Sequence, residues 1–103
     1  MLHVIAIIET KPGQRDAVLA AARENIPNVR AEQGCIEYTP VIDVEGAPNI
    51  VTPIGPNTFM VIEKWASREA LMAHAAAPHM AAYQERIKDM LVSRKIHVLV
   101  DAT

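Results

Sequence analysis

The sequence is poor in the residues that most readily signal a function. Its 103 residues contain one cysteine, Cys35, so no intrachain disulfide can form and a cysteine-built metal cluster is excluded. Four aromatic residues leave the core to Ala, Val, Ile, Leu and Met. Ten Lys and Arg stand against twelve Asp and Glu, and the formal charge of −2 gives no electrostatic case for nucleic acid or an anionic membrane. No apolar run approaches the roughly 20 residues that cross a bilayer. The opening MLHVIAIIETKPG lacks a basic n-region and soon reaches Glu9, so it reads as a strand rather than a signal peptide, and the expected location is the cytoplasm. There is no G-x-G-x-x-G and no phosphate-binding loop, so no cofactor is expected. The four histidines follow no ligand spacing such as H-E-x-x-H, and no metal is expected either. His3 and His97 read as structural, and no basic neighbour marks Cys35 as reactive.

What remains fits one domain over residues 1–103, half hydrophobic and 21% charged. A domain this small buries a modest share of its surface, and pairing with a second copy would add to its stability. Leu2 to Thr10 is apolar on both faces, as a central strand requires. Lys11-Pro12-Gly13 breaks it and opens a helix near Gln14, with Val18, Ala21, Ala22 and Val29 as its apolar stripe. Pro27 is expected to kink or stop that helix. A second strand runs from Cys35 to Asp43 with Ile36, Tyr38 and Ile42 on one side, and Pro40 suggests an edge or a bulge. Residues 44–57 hold three Pro and two Gly, a long loop whose Ile50, Val51 and Ile54 are expected to pack on a partner subunit or at a cavity mouth.

The most informative stretch is Thr58 to Met80. Phe59, Val61, Glu63 and Trp65 fall at every second position of a strand and share one face. A carboxylate among those apolar groups is either paired or lines a cavity that uses its charge. Ser67 suits an N-cap, and Leu71, His74 and Ala75 form a helical stripe beyond it. Pro78 suits the first turn of a further helix with Met80, Tyr83, Ile87 and Leu91 as its stripe. Ser93 to Val100 reads as a last strand, with Ile96, Val98 and Val100 alternating against Lys95, His97 and Leu99. His74 is either a general base and hydrogen-bond donor or a buried imidazole bonded to a carboxylate or carbonyl. Glu63 either holds His74 or acts with it. Trp65 is a core side chain or a flat wall for an aromatic ligand. Asn57 either makes a turn or orients a substrate oxygen. His79 either decorates the surface or joins the site.

The order β-α-β-β-α-α-β predicts an α+β, ferredoxin-like fold: a four-stranded antiparallel sheet with helices on one face. The other face, apolar as well, predicts a homodimer through the sheets.

The pattern Glu63-x-Trp65-x4-Ala70-Leu71-x2-His74, followed by Pro78-His79 and preceded by Asn57-Thr58-Phe59, resembles the antibiotic biosynthesis monooxygenase family. Lys11-Pro12-Gly13, Glu32-Gln33-Gly34-Cys35 and Tyr38 extend the likeness over nearly the whole chain, while the 44–57 loop is longer than the family's commoner form. The resemblance implies a dimeric α+β barrel and a cofactor-independent oxidation of a small quinol, phenol or anthrone-like substrate by dioxygen. It implies His74 as base with Glu63 beside it. The aromatic ligand would meet Phe59, Val61, Trp65, Leu71 and Met80, with Tyr38, Asn57 and His79 as further contacts. Three alternatives stay open on the same scaffold. One is a non-catalytic dimeric module for a small aromatic metabolite, with His74 sealed against Glu63. Another is haem degradation, which uses an Asn where this chain has Ala6. The last is isomerisation of a phosphorylated carbonyl compound, which needs basic groups in the pocket, and near the signature only Lys64 and Arg68 offer them.

Overall fold

Alternate residues of Leu2–Thr10 (β1) are buried along the strand, which takes a central place in the sheet. The computed structural model describes residues 1–103. After β1 come Arg15–Arg30 (α1), Cys35–Val41 (β2), Thr58–Trp65 (β3), Arg68–Ala75 (α2), Pro78–Ile87 (α3), a 3-10 turn Lys88–Met90, and Leu91–Leu99 (β4). The strands lie in the order β2-β3-β1-β4, every neighbour antiparallel. This is the ferredoxin-like arrangement expected, with the second helix split in two.

Register fixes which side chains meet the helices. Val4 faces Glu63 on one side and Val98 on the other, and Ala6 lies between Val61 and Ile96. Those residues, with Ile8, Phe59 and Trp65, form the helix-covered face, where Val18, Leu19, Ala21 and Val29 of α1 and Met80 and Ile87 of α3 complete the core. The opposite face carries Ile5, Ile7, Met60, Ile62 and Leu99, with Ile62 38% and Leu99 44% exposed. No helix is long and apolar enough to cross a membrane.

Four local expectations change. Pro27 does not stop α1: it sits on the exposed side, where its missing N–H costs little, and its carbonyl accepts from Ala31 N at 3.1 Å. β2 is an edge strand, as Pro40 suggested, and ends at Val41. A register shift between Cys35 and Glu37 separates Ile36, 57% exposed, from buried Tyr38, so the two do not share a side. The helical stripe ends at Ile87, because the 3-10 turn intervenes and Leu91 opens β4 two residues before the expected start. Of the two places expected for the 44–57 loop, the cavity mouth is ruled out, since none of its residues lines the main cavity, while Ile50 stands 92% exposed. The loop is held from below instead: the Asp43 carboxylate accepts from Ile54 N and Gly55 N, both at 2.9 Å.

Gly34 ties the site together. Its φ of +84° suits glycine, and a Cβ there would lie 2.5 Å from the Ala70 Cβ. The turn after α1 therefore lies directly against α2, and its carbonyl accepts from Ala66 N at 2.8 Å. Glu32 is thereby brought to the helix that carries His74.

Candidate active site

A cavity of about 400 Å³ lies between the helix-covered face of the sheet and helices α2 and α3. Twelve of its sixteen lining residues are hydrophobic, and its size suits a small organic ligand. Its polar groups are few: Tyr38, Glu63, His74, Tyr83, Gln84 and Arg94.

His74 reaches the cavity because Ser67 fixes the start of α2. The Ser67 hydroxyl accepts from Ala70 N at 3.1 Å, and the helix then turns Leu71, His74 and Ala75 inward. The imidazole packs on the Trp65 indole with centroids 4.5 Å apart and meets the Tyr38 ring at 5.6 Å. Its Nδ1 lies 3.0 Å from Glu32 Oε2, not against Glu63. A carboxylate can only accept, so Nδ1 carries the proton and Nε2 keeps its lone pair. Nε2 has no protein partner, so it is the nitrogen open to a ligand. Burial holds the imidazole below its ordinary value, opposed by the Glu32 charge and hydrogen bond. The result is an oriented, neutral imidazole, the form a general base needs.

Glu32 also receives His79: the other carboxylate oxygen lies 2.5 Å from His79 Nε2. Glu63 has a different partner. Its Oε1 accepts from Trp65 Nε1 at 2.9 Å, and burial pushes its carboxyl upward despite that bond. The two possibilities for Glu63 thus both hold: it is paired, and it lines the cavity. Burial pushes the Tyr38 phenol well above its ordinary range and the Tyr83 phenol to about 12, so both remain donors at neutral pH. Cys35 is half-buried, and its thiol is pushed up chiefly by burial, the opposite of activation. No group of three or more His, Cys, Asp or Glu is arranged to hold a metal ion.

Of the residues singled out from sequence, Tyr38, Val61, Glu63, Leu71, His74 and Met80 line the cavity. Phe59 and Trp65 are fully buried in the core behind it, so Trp65 supports His74 from the rear rather than walling the ligand. Asn57 is elsewhere: its side-chain oxygen accepts from Gly13 N at 3.2 Å and its carbonyl from Thr10, closing a turn. His79 lies outside the cavity and touches the site only through Glu32. Sequence reasoning gave no role to Glu32 or Arg94. Glu32 sits in a turn without periodicity, and only its place in Glu32-Gln33-Gly34-Cys35 set it apart. Arg94 had an available signal, since it is in phase with Ile96 and Val98 on an otherwise apolar strand face.

Glu32→Gln tests the arrangement without any substrate. Both contributions of Glu32 raise the His74 value, so their loss is expected to move the imidazole titration to lower pH. Nitrogen-resolved NMR of the ring reads this directly. An unchanged titration would mean that Glu32 does not control His74.

Residues 1–86 match the antibiotic biosynthesis monooxygenase family. The chain is 39% identical over 101 residues to the "Probable quinol monooxygenase YgiN" of Escherichia coli (strain K12), covering 96% of each. Among solved structures, one described as an antibiotic biosynthesis monooxygenase is 28% identical, covers all of both chains and superposes with a TM-score of 0.82. PA3566 from Pseudomonas aeruginosa is 26% identical with a TM-score of 0.82, covering 99% of this chain and 94% of the other. With the match over residues 1–86, the 39% identity and the shared architecture, this chain belongs to the antibiotic biosynthesis monooxygenase family.

Proposed function

We propose that this protein is a cofactor-independent monooxygenase for a small quinol or phenolic substrate. The observation that carries the reading is a neutral imidazole, held at Nδ1 by Glu32, whose open Nε2 stands on the wall of an apolar cavity. A relative bearing the quinol monooxygenase name supports the substrate class. His74 takes the hydroxyl proton of the quinol. The resulting anion passes an electron to dioxygen, and the radical pair recombines and takes the proton back from the His74 imidazolium to give a carbon-bound hydroperoxide. Loss of the ring C–H proton and cleavage of the O–O bond expel one water, leaving one oxygen atom on the product. The substrate supplies all the electrons. The apolar walls strengthen charge interactions with the developing anion, and the Tyr38 hydroxyl is a donor within the same cavity.

The test is oxygen uptake by metal-depleted protein offered a panel of quinols and anthrone-like phenols under isotopically labelled dioxygen. One labelled atom in the product, formed only with folded protein, is expected. Tight binding with no uptake above autoxidation would favour the aromatic-binding module instead. That module calls for His74 sealed against Glu63, whereas the imidazole bonds to Glu32 and lines the cavity.

The reading includes a homodimer through the open face of the sheet, which presents Ile5, Ile7, Met60, Ile62 and Leu99 away from the helices. Light scattering is expected to give twice the chain mass, and a monomer at micromolar concentration would overturn this part.

A further inference from the structure

The geometry points to Arg94 as an anion-binding corner of the cavity, selecting aromatic substrates that carry a carboxylate at the end remote from the reacting hydroxyl. This rests on the aromatic reading of the cavity above and narrows it to hydroxyaryl acids.

Arg94 pairs in register with Ile8, placing it on the same face of β4 as Ile96 and Val98. All three line the cavity, and alternate residues of a strand stand about 7 Å apart. The guanidinium therefore closes one end of an apolar wall formed by its own strand. It is the only arginine or lysine lining the cavity. Its guanidinium makes no hydrogen bond and no ion pair, as is also true of the side chains of Arg23, Arg68, Lys11 and Lys95, and the residue is exposed at the sheet edge, but of these only Arg94 lines the cavity. An unpaired guanidinium beside apolar side chains keeps its five donors in a planar fork that matches a carboxylate.

Glu63 shares the cavity with Arg94 and feels its charge, but the two form no ion pair, and burial pushes the Glu63 carboxyl towards its neutral form. The carboxylate of Glu63 is engaged by the Trp65 indole, and Glu32 is engaged by two imidazoles on the far side of His74. The positive field of Arg94 reaches Tyr38, Glu63, His74 and Tyr83, the polar groups on three sides of the cavity. A ligand that leaves its hydroxyl at His74 Nε2 can thus present an anionic group to Arg94 while its rings lie against Ile96, Val98 and Leu71. A neutral amide of the same shape offers the guanidinium one carbonyl acceptor in place of two charged oxygens and gains less from it.

The probes are a hydroxynaphthoate, with hydroxyl and carboxylate at opposite ends of the bicycle, and its neutral carboxamide. Neither is a quinol, so calorimetry reads binding without turnover. The carboxylate is expected to bind about 5-fold more tightly than the amide, the worth of a solvent-exposed ion pair. Arg94→Gln is expected to abolish the preference while leaving the affinity for the amide unchanged, and Arg94→Lys to restore part of it. Raising the salt concentration should shrink the preference in the wild type. Equal binding of the two probes, or a preference that survives Arg94→Gln, would overturn the role of Arg94 and leave the aromatic cavity standing. Failure of both probes to bind would overturn the aromatic reading and this inference with it.

Discussion

His74→Ala is expected to lower kcat for oxygen uptake by about 10²- to 10⁴-fold, the usual worth of a positioned general base, with little change in KM. The split follows from the geometry. The imidazole contributes one edge to a cavity whose affinity comes mainly from twelve hydrophobic residues, so binding survives its loss. Deprotonation then falls to Glu63, whose Oε1 already accepts from Trp65 Nε1, since Tyr38 and Tyr83 are neutral donors. In the wild type, burial lowers the imidazole value, so the base stays unprotonated below the ordinary histidine value of about 6.5. The acid limb of kcat against pH should accordingly fall below that value, and it should vanish in the variant. Steady-state rates of both proteins across pH decide the matter. Residual activity within a few-fold of wild type would remove His74 from the chemistry.

Trp65→Phe is expected to destabilise the fold by about 3 kcal/mol, combining lost volume in a packed core with a buried carboxylate left without its donor. For a domain of this size that corresponds to a fall in Tm on the order of 10–20 °C. Trp65 is fully buried, and its Nε1–H is the only hydrogen bond to the Glu63 side chain. The pH dependence separates the two contributions. Burial raises the folded Glu63 value above the unfolded one, so the native state binds more protons between them and stability falls as pH rises through that window. Removing the indole donor, which favours the ionised form, widens the window upward. The penalty of the substitution should therefore be smallest in acid and grow towards neutrality. Urea unfolding at several pH values measures it. A penalty independent of pH would mean that the Trp65–Glu63 bond carries no energy.

The strands and helices were legible because this chain keeps strict periods. Phe59, Val61, Glu63 and Trp65 alternate without interruption, and the structure buries all four. The out-of-place carboxylate correctly marked the cavity wall. The same reasoning applied to β4 would have found Arg94. It did not, because the expected apolar alternation began at Ile96, two residues beyond it. Glu32 could not be found by period at all, since its position depends on Gly34 drawing the turn against Ala70. Trp65 and Phe59 take the expected face but lie in the core behind the cavity rather than on its wall. Alternation tells which side of the sheet a residue takes, and helix placement decides whether that side is core or cavity.

Face assignment in β2 hangs on arithmetic rather than chemistry. Cys35 stands opposite Trp65, yet Glu37 rather than Ile36 stands opposite Lys64. Were Ile36 absent, Cys35, Glu37 and Tyr38 would pair with Trp65, Lys64 and Glu63 in regular register, and Tyr38 would keep its place. Were the register instead regular with Ile36 present, Tyr38 would stand opposite Ile62 on the open face, and Glu37 would face the helices. Loss of the irregularity at full strand length therefore exchanges the two populations of side chains, donor ring for charge, without altering any residue. Relatives that differ in register here can present a different wall to the ligand while every other strand stays in register. Register variation in β2 is thus a route to new specificity that substitution counts would not reveal.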